Sequence, residues 1–160
     1  MEETKKKGLN TSSNSYTIIY SVVIVVIVAF LLAFVSSTLK PQQDENVALD
    51  KKKQILAALN IRDIDGAEAT EQYNKVVTAD KIIDRNGEEV EAGKQGGTEA
   101  GFLCNSASTK EGKLALYVCN VDGETKYVIP VYGMGLWGGI SGYIALNADK
   151  QTVYGAYFNH

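Results

Sequence analysis

Histidine occurs once in these 160 residues, as His160, and cysteine only twice, as Cys104 and Cys119. A zinc site takes four ligands, and the fifteen-residue spacing of the cysteines matches no such site. The same scarcity leaves no Cys-His pair and no Ser-His-Asp set for nucleophilic chemistry, and no carboxylate pair stands out. Lys and Arg number 16 against 19 Asp and Glu, with no basic stripe and no aromatics flanked by Arg. That excludes nucleic acid as a partner. A phosphate-cradling loop is missing as well, because Gly93-Lys94 is followed by Gln95 and not by Ser or Thr. The state of the two cysteines stays open: an oxidising compartment permits a disulfide, and two separate, partly buried thiols fit equally.

Charge is absent from Gly8 to Leu39, and Tyr16 to Val35 is apolar except for Thr17 and Ser21. Twenty helical residues at about 1.5 Å each span roughly 30 Å, the thickness of a bilayer hydrocarbon core. A buried core helix would show one polar face, and this run has none. The apolar region of a cleaved signal peptide is shorter, so an uncleaved anchor over residues 16–37 is expected, despite the small residues at Val35-Ser36-Ser37. Lys5, Lys6 and Lys7 precede it and Lys40 alone follows closely. The positive-inside tendency then places residues 1–15 in the cytoplasm and everything after Leu39 across a bacterial inner membrane. That exported part carries 13 Lys and Arg against 17 Asp and Glu.

Past Pro41 the pattern is helical again in DENVALDKKKQILAALN, where Val47, Ile55, Leu56 and Leu59 form a partial stripe and Asn60 is a stop. Residues 38–62 read as a helical stalk and residues 63–160 as the globular part. Asp65 with Glu68 resembles a capping arrangement opening a short helix through Tyr73, Val76 and Val77. Asn86-Gly87 is a two-residue hairpin signal. Residues 93–112 are polar, glycine-rich and unpatterned, hence a loop. KLALYVCNV and KYVIPVY then flank Asp122-Gly123, and GYIALN and TVYGAYF flank Ala148–Gln151. Two hairpins rich in β-branched and aromatic residues predict an antiparallel sheet and an α+β (mixed α/β) class. Asp149-Lys150 reads as a turn with a solvated charge pair.

Five glycines crowd the segment between these hairpins: Gly133, Gly135, Gly138, Gly139 and Gly142. Such density implies unusual backbone conformations, or backbone that something approaches closely. Gly133-Met134-Gly135-Leu136-Trp137-Gly138 matches the dinucleotide string, but a strand pattern follows where that fingerprint needs a helix. Two readings remain. The glycines can form a tight strand connection with Trp137 capping the core, or Leu136 and Trp137 can line a planar aromatic ligand against bare backbone.

The stalk ENVALDKKKQILAALNI and the stretch IPVYGMGLWGGISGYIALNADKQTVYGAYFNH together resemble the C subunits of bacterial sodium-translocating NADH:quinone oxidoreductases. The related G subunits of ferredoxin:NAD oxidoreductases share the layout, but Gly135-Leu136-Trp137 and ALNADKQTVYG fit the C subunits better. The resemblance implies an FMN-binding-type domain that carries FMN as a phosphodiester on the threonine of a Ser-Gly-Ala-Thr motif. It also implies one-electron relay from an NADH-oxidising subunit toward membrane subunits and quinone, within a sodium-pumping translocase. The partners so implied are the other subunits of that complex and membrane lipid. Gly135, Leu136, Trp137 and His160 would line the flavin pocket. None of Thr98, Thr109, Thr125 or Thr152 sits in a Ser-Gly-Ala-Thr setting, so none inherits the attachment role. A Glu-Thr-Pro-Gly-Leu-Gly loop expected after the histidine is also missing. The expectation is therefore the N-terminal portion of a longer protein, or a truncated product, of poor stability because sheet edges and apolar strand faces are left uncovered. Taken without the resemblance, the same features fit a non-enzymatic, single-span exported binding module.

Overall fold

The computed structural model describes residues 14–159, which fall into two compact units that meet in the chain between Glu45 and Asn46. Helix α1 runs over Asn14–Ala58 and contains Pro41. The break expected at Pro41 does not occur. A proline removes one backbone donor, and strong helix formers on its C-terminal side sustain the helix. In the first unit the apolar side chains from Ile18 to Leu39 are exposed around the whole circumference. By length and composition this helix can cross a membrane. Two of its hydroxyls are satisfied within the helix: Ser21 Oγ donates to the Thr17 carbonyl at 2.8 Å and Thr38 Oγ1 to the Phe34 carbonyl at 2.9 Å. That is what a low-dielectric surround demands of polar groups.

The second unit is an α+β arrangement built on a six-stranded antiparallel sheet ordered β2-β1-β3-β4-β5-β6. The strands are β1 Val77–Ile83, β2 Glu89–Glu91, β3 Leu114–Val121, β4 Glu124–Met134, β5 Gly139–Leu146 and β6 Val153–Asn159. Helix α2, Gly66–Val76, leads directly into β1. The expected cap at its start is only partly realised, since the Asp65 side chain makes no capping hydrogen bond. Asn86-Gly87 closes the β1–β2 hairpin, in a longer turn than two residues: the Asp84 N–H donates to the Glu88 carbonyl, and Asp84 Oδ1 accepts from the N–H groups of Asn86 and Glu88 at 2.8 Å. At the β3–β4 turn Asp122 and Gly123 both have positive φ, +52° and +84°, as the Asp-Gly signal requires.

Residues 93–112 are not wholly loop. They hold a 3-10 turn, Gly101–Leu103, and a short helix α3, Ser106–Lys110. Asn105 Oδ1 accepts from the N–H groups of Ala107 and Ser108, and the Ser108 hydroxyl accepts from the Asn105 N–H. This reciprocal cap supports a helix too short to leave a periodic signature.

One face of the sheet carries the core. Tyr117, Cys119, Val128, Tyr143 and Ala145 pack there with Ile55 and Leu56 of α1, Leu59 just past its end, Tyr73 of α2 and Phe102. Each fully buried Ile or Leu stabilises the fold by about 1.5–3 kcal/mol. Gly155 lets β6 come against the end of α1: an added Cβ would lie 2.4 Å from the Ala58 carbonyl oxygen. Asn60, at φ +64°, ends the helical segment and donates its side-chain amide to the Tyr154 carbonyl at 3.2 Å.

Candidate functional site

The glycine-rich segment is the tip of the β4–β5 hairpin. Met134 pairs with Gly139 at its base, and the Gly135 N–H donates to the Gly138 carbonyl at 2.7 Å. The connection is tight, but Trp137 does not cap the core: it is 97% exposed and Leu136 is 91% exposed. A four-residue loop held by a short hydrogen bond points its middle residues away from the sheet. None of the five crowded glycines has positive φ, so unusual backbone conformation is not their purpose. Gly142 is sterically required, since an added Cβ would lie 2.4 Å from the Tyr157 carbonyl oxygen, whereas at Gly135 it would meet only the movable tip of the exposed Ile140 side chain. At Gly133, Gly138 and Gly139 an added Cβ would meet nothing within 4 Å. Those three leave bare backbone with open space before it.

Beside this tip lies a cleft of about 480 Å³ lined by Gly135, Leu136, Trp137, Gly138, Gly139, Ile140, Phe158 and Asn159. No charged side chain lines it. Three of the four residues expected at the site, Gly135, Leu136 and Trp137, thus stand together. His160 lies outside the described residues. Phe158 and Asn159 were not anticipated. They arrive through the β5–β6 register, Gly142 opposite Phe158 and Ser141 opposite Asn159, which a count outward from the 147–152 turn misses by one residue because the register shifts between Ala145 and Leu146. That turn differs from a solvated charge pair as well. Asp149 accepts from the N–H groups of Gln151 and Thr152 and from the Thr152 hydroxyl, at 2.6–3.0 Å. These bonds hold its carboxyl down at about 2. The Lys150 ammonium lies instead over the Tyr127 ring, 5.3 Å from its centroid.

Cys104 and Cys119 are free thiols, both buried. Burial pushes Cys119 up to about 12, and it raises Cys104 against the opposing pull of Lys51 and Lys113. Burial in turn lowers Lys51, with Cys104 opposing. Neither thiol is a nucleophile at neutral pH. Sequence reasoning also passed over Asp80, which is 1% exposed. Its carboxylate accepts from the N–H groups of Lys94 at 3.2 Å, Ala100 at 3.1 Å and Phe102 at 3.3 Å. It is the anchor of the 93–102 segment, and nothing local to it signals that role.

No family model matches the chain. The C subunit of the Na(+)-translocating NADH-quinone reductase of Pseudomonas aeruginosa is 26% identical over 171 residues, covering 94% of this chain and 65% of the relative. The C subunit of the same reductase of Vibrio campbellii is 26% identical over 137 residues, covering 73% of this chain and 52% of the relative. The crystal structure of the C subunit from Parabacteroides distasonis matches the fold with a TM-score of 0.69 at 35% identity, over 76% of this chain and 58% of that one. The resemblance to the C subunits holds in sequence and in fold. The chain spans between about half and two thirds of the length of these relatives.

Proposed function

We propose that this chain is the membrane-anchored electron-transfer subunit of a sodium-translocating NADH:quinone reductase, the counterpart of the C subunits it matches. The observation that carries the proposal is the fold shared with the Parabacteroides protein at 35% identity. The apolar helix α1 would anchor the chain with its N-terminus in the cytoplasm and the second unit in the periplasm. The other subunits of the redox complex would be its partners, and the complex, rather than this chain alone, would turn over NADH.

FMN is the cofactor of this reading, and the hairpin cleft offers a partial fit. Bare backbone at Gly138 and Gly139, with Leu136, Trp137, Ile140 and Phe158, makes an uncharged, apolar wall suited to a planar ring. The likeness to the C subunits adds His160 to the residues proposed to line the pocket. No threonine among the 160 residues stands in a Ser-Gly-Ala-Thr string, so no residue of this chain is assigned the phosphodiester. Bound flavin would supply one-electron redox chemistry. The chain's residues would orient the ring and exclude water from one side of it, which shifts its potential.

Trp137 is the sole tryptophan and stands at the cleft, so its emission reports on that place alone. FMN titrated into the full chain in detergent should quench it saturably. Gly138→Val should abolish the quenching while leaving the thermal transition in place, because its side chain enters open space. Unsaturable quenching, or quenching indifferent to Gly138→Val, would remove the flavin-wall assignment. Recovery of the chain from membranes without polytopic redox subunits would count against the complex.

A further inference from the structure

Asn86-Gly87 is the sole Asn-Gly pair in the sequence. The side-chain amide of an asparagine can be attacked by the backbone nitrogen of the next residue, and glycine, without a side chain, hinders that attack least. Asparagine counts among the heat-labile residues. Both residues are exposed, on the turn between β1 and β2. Gly87 has φ +84°, and an added Cβ there would meet nothing within 4 Å, so no neighbouring group screens the pair from water.

Asp84 nevertheless engages both nitrogens that the reaction uses. Asn86 Nδ2 donates to Asp84 Oδ2 at 3.1 Å, and the Gly87 N–H donates to the Asp84 carbonyl at 3.1 Å. The N–H groups of Asn86 and Glu88 donate to Asp84 Oδ1 at 2.8 Å and fix the carboxylate in place. The attacking nitrogen thus keeps its proton on an acceptor, and the amide to be displaced is held on the carboxylate. Hydrogen bonds from Glu88 first, and then Asn86, hold the Asp84 carboxyl below its usual range. It is therefore ionised and has no proton to give a leaving amine. Its charge also opposes an amide anion forming beside it.

We propose that Asn86-Gly87 is a self-modification site latched by Asp84, which converts to a succinimide and then to isoaspartate when the turn opens. The Gly87 nitrogen loses its proton and bonds to Asn86 Cγ. The Cγ–Nδ2 bond breaks, and ammonia departs with a proton taken up in exchange. Water then opens the ring at either carbonyl, giving aspartate or isoaspartate. Either product adds a negative charge beside Asp84 and Glu88, and isoaspartate inserts a methylene into the backbone of the turn. Strand β2 has only three residues, all exposed, and its register with β1 already shifts between Ile82 and Ile83. The modification releases β2 from β1. It goes beyond the electron-transfer reading and does not rest on it.

The full chain in detergent is incubated in warm, mildly alkaline buffer, with and without denaturant. The Asn86 peptide is followed by mass and by isoaspartate-specific methylation, with Asn120, which precedes the β-branched Val121, as internal control. Native wild type should convert at least about tenfold more slowly than the denatured chain, and Asp84→Ala should remove most of that protection. Slow maleimide labelling of the buried Cys119 shows the sheet of the variant to be intact. Should Asp84→Ala expose Cys119, Asp84→Asn decides. It keeps an acceptor for the backbone N–H groups and loses the charge, and should still convert severalfold faster than wild type. Equal native and denatured rates, either variant converting at the wild-type rate with Cys119 protected, or aspartate without isoaspartate would each overturn the inference.

Discussion

Asp80 is a buried carboxylate set against the backbone of Gly93, Gly97 and Gly101, and three backbone N–H groups justify its position. Each charge-assisted bond offsets part of the desolvation cost, and removing the acceptor would strand the donors of Lys94, Ala100 and Phe102. Asp80→Ala is therefore expected to cost about 2–4 kcal/mol in denaturant unfolding of the full chain in detergent. A loss under about 0.5 kcal/mol, within ordinary surface-substitution scatter, would show the anchor to be incidental. Asp149 gives a pH-dependent counterpart at the surface. Its folded value, about 2, lies below the ordinary 3.8 because Thr152 and Gln151 donate to the ionised form. A depressed carboxyl contributes stability that is present above its ordinary value and is lost as pH falls through the folded one. Wild type should melt above Asp149→Asn at pH 6, and the gap should narrow below pH about 4 and close only below pH about 2. A gap independent of pH would refute the assignment. At Cys119, raised to about 12 by burial, maleimide labelling at neutral pH should be slow until denaturant is added; rapid native labelling would contradict the buried, protonated thiol.

Helix α1 and strand β6 meet where a side chain would not fit. Gly155→Ala places a methyl 2.4 Å from the Ala58 carbonyl oxygen and 3.0 Å from Asn60 Oδ1, so helix and strand must separate. Overpacking of this kind costs about 1–3 kcal/mol, read as a lowered melting temperature, whereas Gly133→Ala faces open space and should leave the transition in place. Equal effects at the two positions would contradict the close approach. Elements differ in how far the sequence reveals them, for physical reasons. Strands β3 to β6 announce themselves because their β-branched and aromatic enrichment and the Asp122-Gly123 turn are local. Helix α3 does not, since five residues carry no period and its Asn105 cap resembles any polar loop. The run through Pro41 was hidden because a single missing donor looks like a boundary. At the hairpin, Gly135-Leu136-Trp137 was legible as a cluster, but not its exposure, since the same residues serve to cap a core or to stand clear of it. Phe158 and Asn159 join the cleft only through strand register across an intervening turn, a non-local relation that residue types alone do not encode.

For the molecule as a whole, the controlling asymmetry is the distribution of lysine around the apolar run. Lys5, Lys6 and Lys7 lie before it, and only Lys40 follows before Lys51. Positive residues near a span are retained on the cytoplasmic side, because moving them across costs energy against the membrane potential and the anionic inner surface. Reporter fusions after residue 45 should accordingly be active when they require the periplasm and silent when they require the cytoplasm. Changing Lys5, Lys6 and Lys7 to Asn while placing three lysines after Leu39 reverses the bias, and a measurable share of the chains should then report from the cytoplasm. Alkaline carbonate should leave both versions in the membrane pellet, since anchoring comes from the uncharged stretch and not from its flanks. Periplasmic activity unchanged by the lysine swap would show that the folding of the second unit, rather than charge, governs orientation. Extraction by carbonate would remove the anchor itself, and with it the membrane placement on which the electron-transfer reading depends.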